Sequence, residues 1–166
     1  YSPSNSAELK YSLKKAIYDE KGIAAVRYPR GDAQACEEKC GYDYKINERD
    51  SDTLIVSYGR VANNAEQAAQ NLSVSSLRMV KIFPIPEKAV EVAKKYKKIF
   101  FFEEAIKSGG IGEKFLLKLS ESGFKGDYCV HAIDNCFVKA GDADDMLDEL
   151  GFSTEKITLK VKGGSN

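Results

Sequence analysis

Residues 98–119 read KIFFFEEAIKSGGIGEKFLLKL and indicate the fold class more clearly than other parts of the chain. It begins with an apolar run, continues through a glycine loop, SGGIG, and then spaces its apolar residues as a helix does. A short, almost uninterrupted apolar run is typical of a strand that is buried on both faces of a parallel sheet. The stretch therefore predicts one strand–loop–helix unit of an α/β protein, with Ile111, Phe115, Leu116 and Leu119 on the helix.

The same rhythm occurs on both sides of this stretch. Three further apolar runs predict strands: TLIVSYG (53–59), SLRMVKIF (76–83) and DYCVHAI (127–133). Apolar residues at helical spacing predict three helices in the same part of the chain. One runs through Ala65–Leu72, one starts at Pro84–Pro86 and runs to Tyr96, and the last is capped by Asp142 and ends at Gly151. Strands that alternate with helices of about a dozen residues indicate βαβ units and a largely parallel sheet.

The first 30 residues form a half-unit of the same kind. Asn5 and Glu8 have the spacing of a helix N-cap, and Leu9, Leu13, Ala16 and Ile17 then fall on one helical face. IAAVRY (23–28) predicts a buried strand, but no earlier strand is available to pair with it. We expect this strand to be loose or to pair with another chain. Because the sequence opens with Tyr1 rather than Met, we expect a piece of a longer protein.

Residues 31–52 predict a linker between domains, because Gly, Asp, Glu, Lys and Cys dominate without a helical stripe. Within it, the alternating residues Tyr42–Ile46 suit an edge strand.

Composition excludes several classes of function. Lys and Arg together number 25, as do Asp and Glu, so the chain has no net charge to attract nucleic acid or an anionic membrane. There is no membrane-spanning apolar run and no signal-peptide pattern. We interpret the four cysteines, Cys36, Cys40, Cys129 and Cys136, as reduced thiols and predict no metal site. The single histidine, His131, is interpreted as a structural side chain rather than a catalyst.

The stretch RYPRG places Arg30 at the end of the strand predicted over residues 23–28. Pro29 stiffens the backbone there, and Gly31 allows the chain to turn away. A guanidinium at such a position suits a phosphate or carboxylate ligand, but it also suits a salt bridge between domains. Arg27 and Tyr28 are candidates to support Arg30.

The stretch EEAIKSGGIG lacks the spacing of a phosphate-binding glycine loop, and its two glutamates would repel a phosphate. We therefore predict structural or interface roles for five of its residues: Glu103, Glu104, Gly109, Gly110 and Gly112.

Taken in order, these pieces resemble the C-terminal end of 1-deoxy-D-xylulose-5-phosphate synthases, which belong to the transketolase superfamily. RYPRG is the most specific of them, and the EE-x(4)-GG-x-G pattern and the closing ELG are shared more loosely. The resemblance implies a three-layer α/β/α fold with a five-stranded, mostly parallel mixed sheet whose edge strand, Tyr42–Ile46, is antiparallel. It also implies that residues 1–30 are the tail of a pyrimidine-binding domain and that residues 53–166 are a transketolase C-terminal-like domain.

The family's enzyme condenses pyruvate with glyceraldehyde 3-phosphate, using thiamine diphosphate and Mg²⁺, to supply isoprenoid, thiamine and pyridoxal phosphate synthesis. The resemblance implies that Arg30 contacts the phosphate of the acceptor aldehyde. It implies a cytoplasmic, bacterial homodimer whose other domains hold the catalytic residues and the cofactor. For this chain alone we expect no activity and no bound cofactor.

Two alternatives remain open at the level of sequence. The chain could be the C-terminal domain of another transketolase-like enzyme, namely a transketolase or the β subunit of a 2-oxo-acid dehydrogenase. It could also be a non-catalytic interaction module, with an exposed end of the FFFEE strand and the glycine loop as its contact surface.

Overall fold

The computed structural model describes residues 1–29, 35 and 40–163. Arg30, Gly31 and Cys36, which the sequence singles out, lie outside the described residues. The helices are α1 (Ser6–Lys14, extended by a π-helical turn over Lys15–Asp19), α2 (Val61–Leu72), α3 (Glu87–Ala93), α4 (Ile111–Glu121), α5 (Ala143–Glu149) and α6 (Thr154–Gly163). The strands are β1 (Tyr44–Asn47), β2 (Thr53–Tyr58), β3 (Ser75–Met79), β4 (Lys98–Ile106) and β5 (Asp127–Ile133).

The strands form one five-stranded sheet in the order β1-β3-β2-β4-β5. Strand β1 is antiparallel to β3, and the remaining pairs are parallel. Val56 at the centre of the sheet lies opposite Leu77 on one side and Phe101 on the other. The mixed sheet and its antiparallel edge strand confirm the predicted fold class, and β1 begins two residues later than the sequence suggested.

Helices cover both faces of the sheet and make the three layers. One face packs on α3 and α4 through a core that includes Leu54, Val56, Phe101, Phe115 and Leu119. The other face packs on α2, α5 and α6. Small residues of α2, namely Ala65, Ala68 and Ala69, are fully or almost fully buried there, so the helix approaches the sheet closely. The spacing of these alanines had predicted this helix.

The phenylalanines of β4 are divided between the two cores. Phe101 points into the α3–α4 side, whereas Phe100 and Phe102 point into the α2–α6 side. All three side chains are at most 1% exposed. The expectation that the FFFEE strand end offers an exposed contact surface is therefore wrong, because successive residues of a central strand are buried on opposite faces.

Helix α1 begins as the sequence predicts. Asn5 is the N-cap, and its side-chain oxygen accepts a hydrogen bond from the backbone N–H of Glu8 at 3.0 Å. The buried side of the helix, however, carries Glu8 and Ser12. The predicted apolar face points away from the described chain, since Leu13 is 39% and Ile17 is 66% exposed.

Residues 23–29 form no strand within the described chain, so the buried strand predicted over 23–28 is absent here. Ile23 is fully exposed. Two backbone hydrogen bonds hold the segment: the Tyr1 amino group donates to the carbonyl of Ala25, and the N–H of Arg27 donates to the carbonyl of Tyr1. A strand needs a neighbour along its length, and Tyr1 supplies only one residue of pairing.

Helix α6 was not predicted from the sequence, since the last predicted helix is the one that ends at Gly151. Ser153 lies before its first turn and accepts a hydrogen bond from the N–H of Lys156. Ile157 is fully buried against the α2 side of the core. No helix among the described residues has the length and apolar character needed to cross a membrane.

Candidate functional site

A cleft opens at the carboxyl ends of β2 and β4. After β2 the chain crosses to β3 on one side, and β4 then lies on the other side of β2. Neighbouring strand ends diverge at such a topological switch point, and open α/β sheets bind their ligands there. The position of the cleft therefore follows from the strand order.

The cleft has a volume of about 380 Å³ and is built from five short segments. The N-terminal segment contributes Ser2 and Pro3, and the end of β2 contributes Tyr58, Gly59 and Arg60. The remaining walls are Arg27, Tyr28 and Pro29, together with Glu104 after the buried part of β4 and Ala143 at the start of α5. Among the described residues, two guanidinium groups, two phenols and one carboxylate thus surround the opening.

The N-terminal segment is fixed against the turn that follows β2. Gly59 has a φ of +63°, and its N–H donates to the carbonyl of Ser2 at 3.1 Å. A Cβ on Gly59 would lie 3.0 Å from the Ser2 Oγ, and a positive φ is unfavourable for other residues. The N–H of Ser2 in turn donates to the carbonyl of Val80. The first residues therefore form a wall of the cleft and do not lie free over it.

Glu103 is fully buried directly behind the cleft. Its carboxylate accepts hydrogen bonds from the Tyr58 hydroxyl at 2.7 Å, from the N–H of Ile111 at 2.9 Å and from the N–H of Gly112 at 3.0 Å. The two amides belong to the first turn of α4, where a negative charge is stabilised. Glu103 therefore fastens α4 to β4 within this domain.

The Glu103 carboxylate explains why two positions of the loop, Gly110 and Gly112, are glycines. A Cβ on Gly110 would lie 2.4 Å from a Glu103 carboxylate oxygen, and one on Gly112 would lie 2.9 Å from the same oxygen. Gly109 has a φ of +76°. Because Glu103 already occupies the amides of Ile111 and Gly112, these two donors are not available to cradle a phosphate. The loop is thus a structural turn around a buried acid.

Burial raises the pKa of Tyr58 above its ordinary value, and the neighbouring Glu103 carboxylate raises it further. Arg27 acts in the opposite direction on the same group. The phenol therefore remains protonated at neutral pH and keeps donating to Glu103.

Arg60 and Glu104 form an ion pair on the rim of the cleft. The guanidinium Nε donates to one carboxylate oxygen at 2.7 Å and Nη2 donates to the other, which makes the contact bidentate. Hydrogen bonding to Glu104 raises the pKa of Arg60, against an opposing effect of burial. The pair fixes a guanidinium at the rim but nearly cancels its charge.

Sequence reasoning missed Arg60, although a signal was present. Ser57 and Phe102 lie opposite each other on parallel strands, so the residues just beyond them, YGR and EE, meet at the same edge.

The structure brings together only some of the predicted site residues. Arg27, Tyr28 and Glu104 line the cleft, whereas Glu103 and the glycines lie behind it. Arg30, the predicted anion anchor, is outside the described residues, but its neighbour Pro29 lines the cleft. Arg27 is exposed, and no ion pair of its side chain occurs within the described ranges. Arg27 therefore places an exposed guanidinium on the cleft wall, beside Tyr58.

His131 has a structural role. Its ring lies between Phe102 and Phe152, with centroid distances of 5.6 and 4.9 Å, and Nε2 lies 3.0 Å from the carbonyl of Leu150. Burial lowers the pKa of His131 below its ordinary 6.5, so the neutral ring donates Nε2–H to that carbonyl at neutral pH. Among the residues placed by the structure, Cys40, Cys129 and Cys136 are free thiols, and no group of three potential ligands could hold a metal ion.

Comparison with known proteins places this geometry in a family. The family model described as "Transketolase, C-terminal domain" matches residues 43–157. Curated relatives include the 1-deoxy-D-xylulose-5-phosphate synthase of Thermotoga petrophila, 27% identical over 168 residues, which cover 96% of this chain and 27% of that protein. The synthase of Neisseria gonorrhoeae is 28% identical over 169 residues, with 96% and 26% covered. The chain thus spans about a quarter of the length of these relatives.

Solved structures share the fold. A split-gene transketolase, described as an inactive β4 tetramer, superposes with a TM-score of 0.77 at 18% identity, covering 98% of this chain and 55% of that one. The transketolase of Campylobacter jejuni superposes with a TM-score of 0.71 at 16% identity, covering 99% and 26%.

Proposed function

The chain belongs to the transketolase C-terminal domain family, and we propose that it is the C-terminal part of a synthase that condenses pyruvate with glyceraldehyde 3-phosphate to 1-deoxy-D-xylulose 5-phosphate. One observation carries this proposal. Similarity to proteins named 1-deoxy-D-xylulose-5-phosphate synthase extends over 96% of the chain, well beyond the residues 43–157 that the domain model matches. The similarity therefore includes most of the N-terminal segment that walls the cleft.

In this proposal the cleft receives the phosphate end of the acceptor aldehyde. Arg27 lines the cleft, exposed and without an ion pair among the described residues, and Arg30 follows Pro29, which also lines it. We assign the main phosphate contact to Arg30 and support to Arg27 and Tyr28. Arg60 is held by Glu104 and contributes a fixed wall rather than net charge.

The carboxylates of the cleft do not fit the cofactor. Thiamine diphosphate is expected with a divalent metal, which requires oxygen ligands. Glu103 is taken by Tyr58 and the α4 amides, and Glu104 is taken by Arg60. Other domains would hold the cofactor, which supplies the decarboxylation and the formation of the carbon–carbon bond. This chain would orient the acceptor and carry part of a homodimer's contacts.

The outer face of α1 supports the presence of further domains. Leu13, Ile17, Tyr18 and Ile23 are exposed large apolar side chains on the N-terminal segment. The inward side of the same helix is polar, with Glu8 accepting from the N–H of Ser4 at 2.8 Å. We propose that the preceding domain of the parent enzyme covers this apolar face.

The assignment of Arg30 is tested in the enzyme that carries this chain. We expect Arg30→Ala to lower kcat/KM for glyceraldehyde 3-phosphate by about ten- to a hundredfold, because a charge-assisted hydrogen bond to phosphate is lost. Turnover with unphosphorylated glyceraldehyde and the KM for pyruvate should change little. Arg30→Lys keeps the charge but not the planar fork and should lose less.

An equal loss with the phosphorylated and unphosphorylated acceptors would contradict the assignment and indicate a folding role for Arg30. The isolated 166-residue chain should form no product from pyruvate and glyceraldehyde 3-phosphate with added thiamine diphosphate and Mg²⁺.

A further inference from the structure

A second cavity lies at the opposite edge of the sheet, at the amino ends of β4 and β5. Its volume is about 590 Å³. Two turns form it, 94–97 between α3 and β4 and 122–126 between α4 and β5. We call it the lysine cavity, because its lining includes Lys94, Lys95, Lys97 and Lys125 together with the aromatic side chains Tyr96 and Phe124.

The charge of this cavity is positive. Among the residues that the structure describes, no acidic side chain lines it. Lys94 pairs with Glu91 at 2.8 Å and Lys97 with Asp52 at 2.7 Å, but both pairs are exposed. Exposed pairs of this kind contribute about 0–1 kcal/mol and are readily exchanged for another anion. Lys95 and Lys125 have no carboxylate partner in the part of the chain that the structure describes.

Capping of helix ends does not account for these lysines. Cations are favoured near helix C-termini, and α3 and α4 both end at this cavity. Backbone amides, however, already satisfy the last carbonyls: the N–H of Lys94 donates to Val90, that of Gly123 to Ser120 and that of Phe124 to Leu119. Within the described ranges no ammonium group of the cavity donates to these carbonyls.

The two turns are locked together. The N–H of Asp127 donates to the carbonyl of Lys97 at 2.9 Å. A Cβ on Gly126 would lie 2.3 Å from that carbonyl oxygen, so only glycine permits this approach. The backbone that carries Lys97 and Lys125 is therefore fixed before any ligand arrives, which lowers the entropy lost on binding.

Tyr96 and Phe124 provide a partly exposed aromatic wall whose inner side packs against the core. Lysine ammonium groups bind phosphate as point charges, and aromatic side chains stack on the rings of bases. We propose that the lysine cavity binds a polyphosphate joined to an aromatic base, which is the chemistry of a nucleoside di- or triphosphate. This proposal is independent of the catalytic assignment, since the cleft lies at the other edge of the sheet.

The test is isothermal titration calorimetry of the full chain with ATP and with inorganic tripolyphosphate. We expect ATP to bind more tightly than tripolyphosphate. The double variant Lys95→Gln, Lys125→Gln should lower the affinity for both ligands by about tenfold or more, since each lost lysine removes a charge-assisted contact. Tyr96→Leu should lower the affinity for ATP and leave the affinity for tripolyphosphate unchanged.

The matched control is Lys156→Gln, Lys160→Gln on α6, which changes net charge equally at two exposed lysines on the far layer. Its affinities should stay within about twofold of the parent chain. Absence of ATP binding, or equal weakening in the two double variants, would overturn the proposal. Equal affinity for ATP and tripolyphosphate would overturn the assignment of the ligand as a nucleotide.

Discussion

At the scale of single residues, the two adjacent glutamates of β4 have different environments. Glu103 is fully buried with three hydrogen-bond donors, whereas the Glu104 side chain is 31% exposed and pairs with Arg60. The sequence presented them as an equivalent pair. Their separation follows from alternation along the strand, which sends one inward to α4 and the other to the cleft rim.

We expect Glu103→Ala to lower the free energy of unfolding by about 3 kcal/mol or more, because the Tyr58 hydroxyl and two α4 amides lose their acceptor in the interior. Glu104→Ala is the matched control and should cost about 1 kcal/mol or less, since it breaks only a partly exposed pair. Denaturant unfolding of both variants measures the difference. Similar losses would show that Glu103 does not fasten α4 as described.

His131 gives a pH dependence at the same scale. Its pKa is lowered in the folded state, so the stabilising neutral form is fully present above pH 6.5 and is lost as the pH falls through the lower folded value. We expect the chain to lose stability as the pH falls below about 6.5 more steeply than the variant His131→Gln, which keeps a neutral donor toward Leu150. Parallel pH profiles for the two proteins would contradict this account.

At the scale of elements, the residue patterns predicted every strand of the sheet. The inner strands β2, β3 and β4 are short apolar runs that are largely buried, whereas the edge strands β1 and β5 are only partly buried. The helices packed on the sheet through regular apolar spacing, α2 and α4, were predicted equally well. The spacing of apolar residues gave a wrong or missing prediction where the burial of a segment depends on the segments that lie beside it. Residues 23–28 have a strand-like composition, but within the described ranges Tyr1 is the only residue that they hydrogen-bond through the backbone. Helix α6 has only two apolar positions facing the core, Ile157 and Val161. Two apolar residues four positions apart are too few to predict a helix from sequence.

Helix α6 should nevertheless be part of the folded domain. We expect Ile157→Ala to destabilise the chain by about 2–5 kcal/mol, because it leaves a cavity beneath α6. Leu159→Ala, on the 65% exposed side of the same helix, should change stability by about 0.5 kcal/mol or less. Equal effects in thermal or denaturant unfolding would mean that α6 is not packed as described.

The sequence predicted the candidate site only in part, because the site also depends on which segments lie side by side. RYPRG and the glycine loop carry unusual residue types and were noticed directly. Arg60 and Tyr58 follow an ordinary strand, and their importance appears only when the register places them beside Glu104 and Glu103. Contacts between segments that are more than 40 residues apart depend on strand order, which a single sequence does not display.

At the scale of the whole molecule, the two edges of the sheet have different surfaces. The carboxyl edge carries the cleft between Arg27 and Arg60, and the amino edge carries the lysine cavity. The N-terminal helix adds a third surface, polar where it meets the domain and apolar where it faces outward. This arrangement fits a domain that completes a larger enzyme.

We propose that the enzyme carrying this chain joins pyruvate to glyceraldehyde 3-phosphate. The most direct measurement is product analysis of that enzyme with three substrate pairs. These are pyruvate with glyceraldehyde 3-phosphate, a ketose phosphate with an aldose phosphate, and a 2-oxo acid with a lipoyl acceptor. We expect 1-deoxy-D-xylulose 5-phosphate from the first pair and little turnover of the others. Efficient turnover of the second or third pair, with no product from the first, would contradict it.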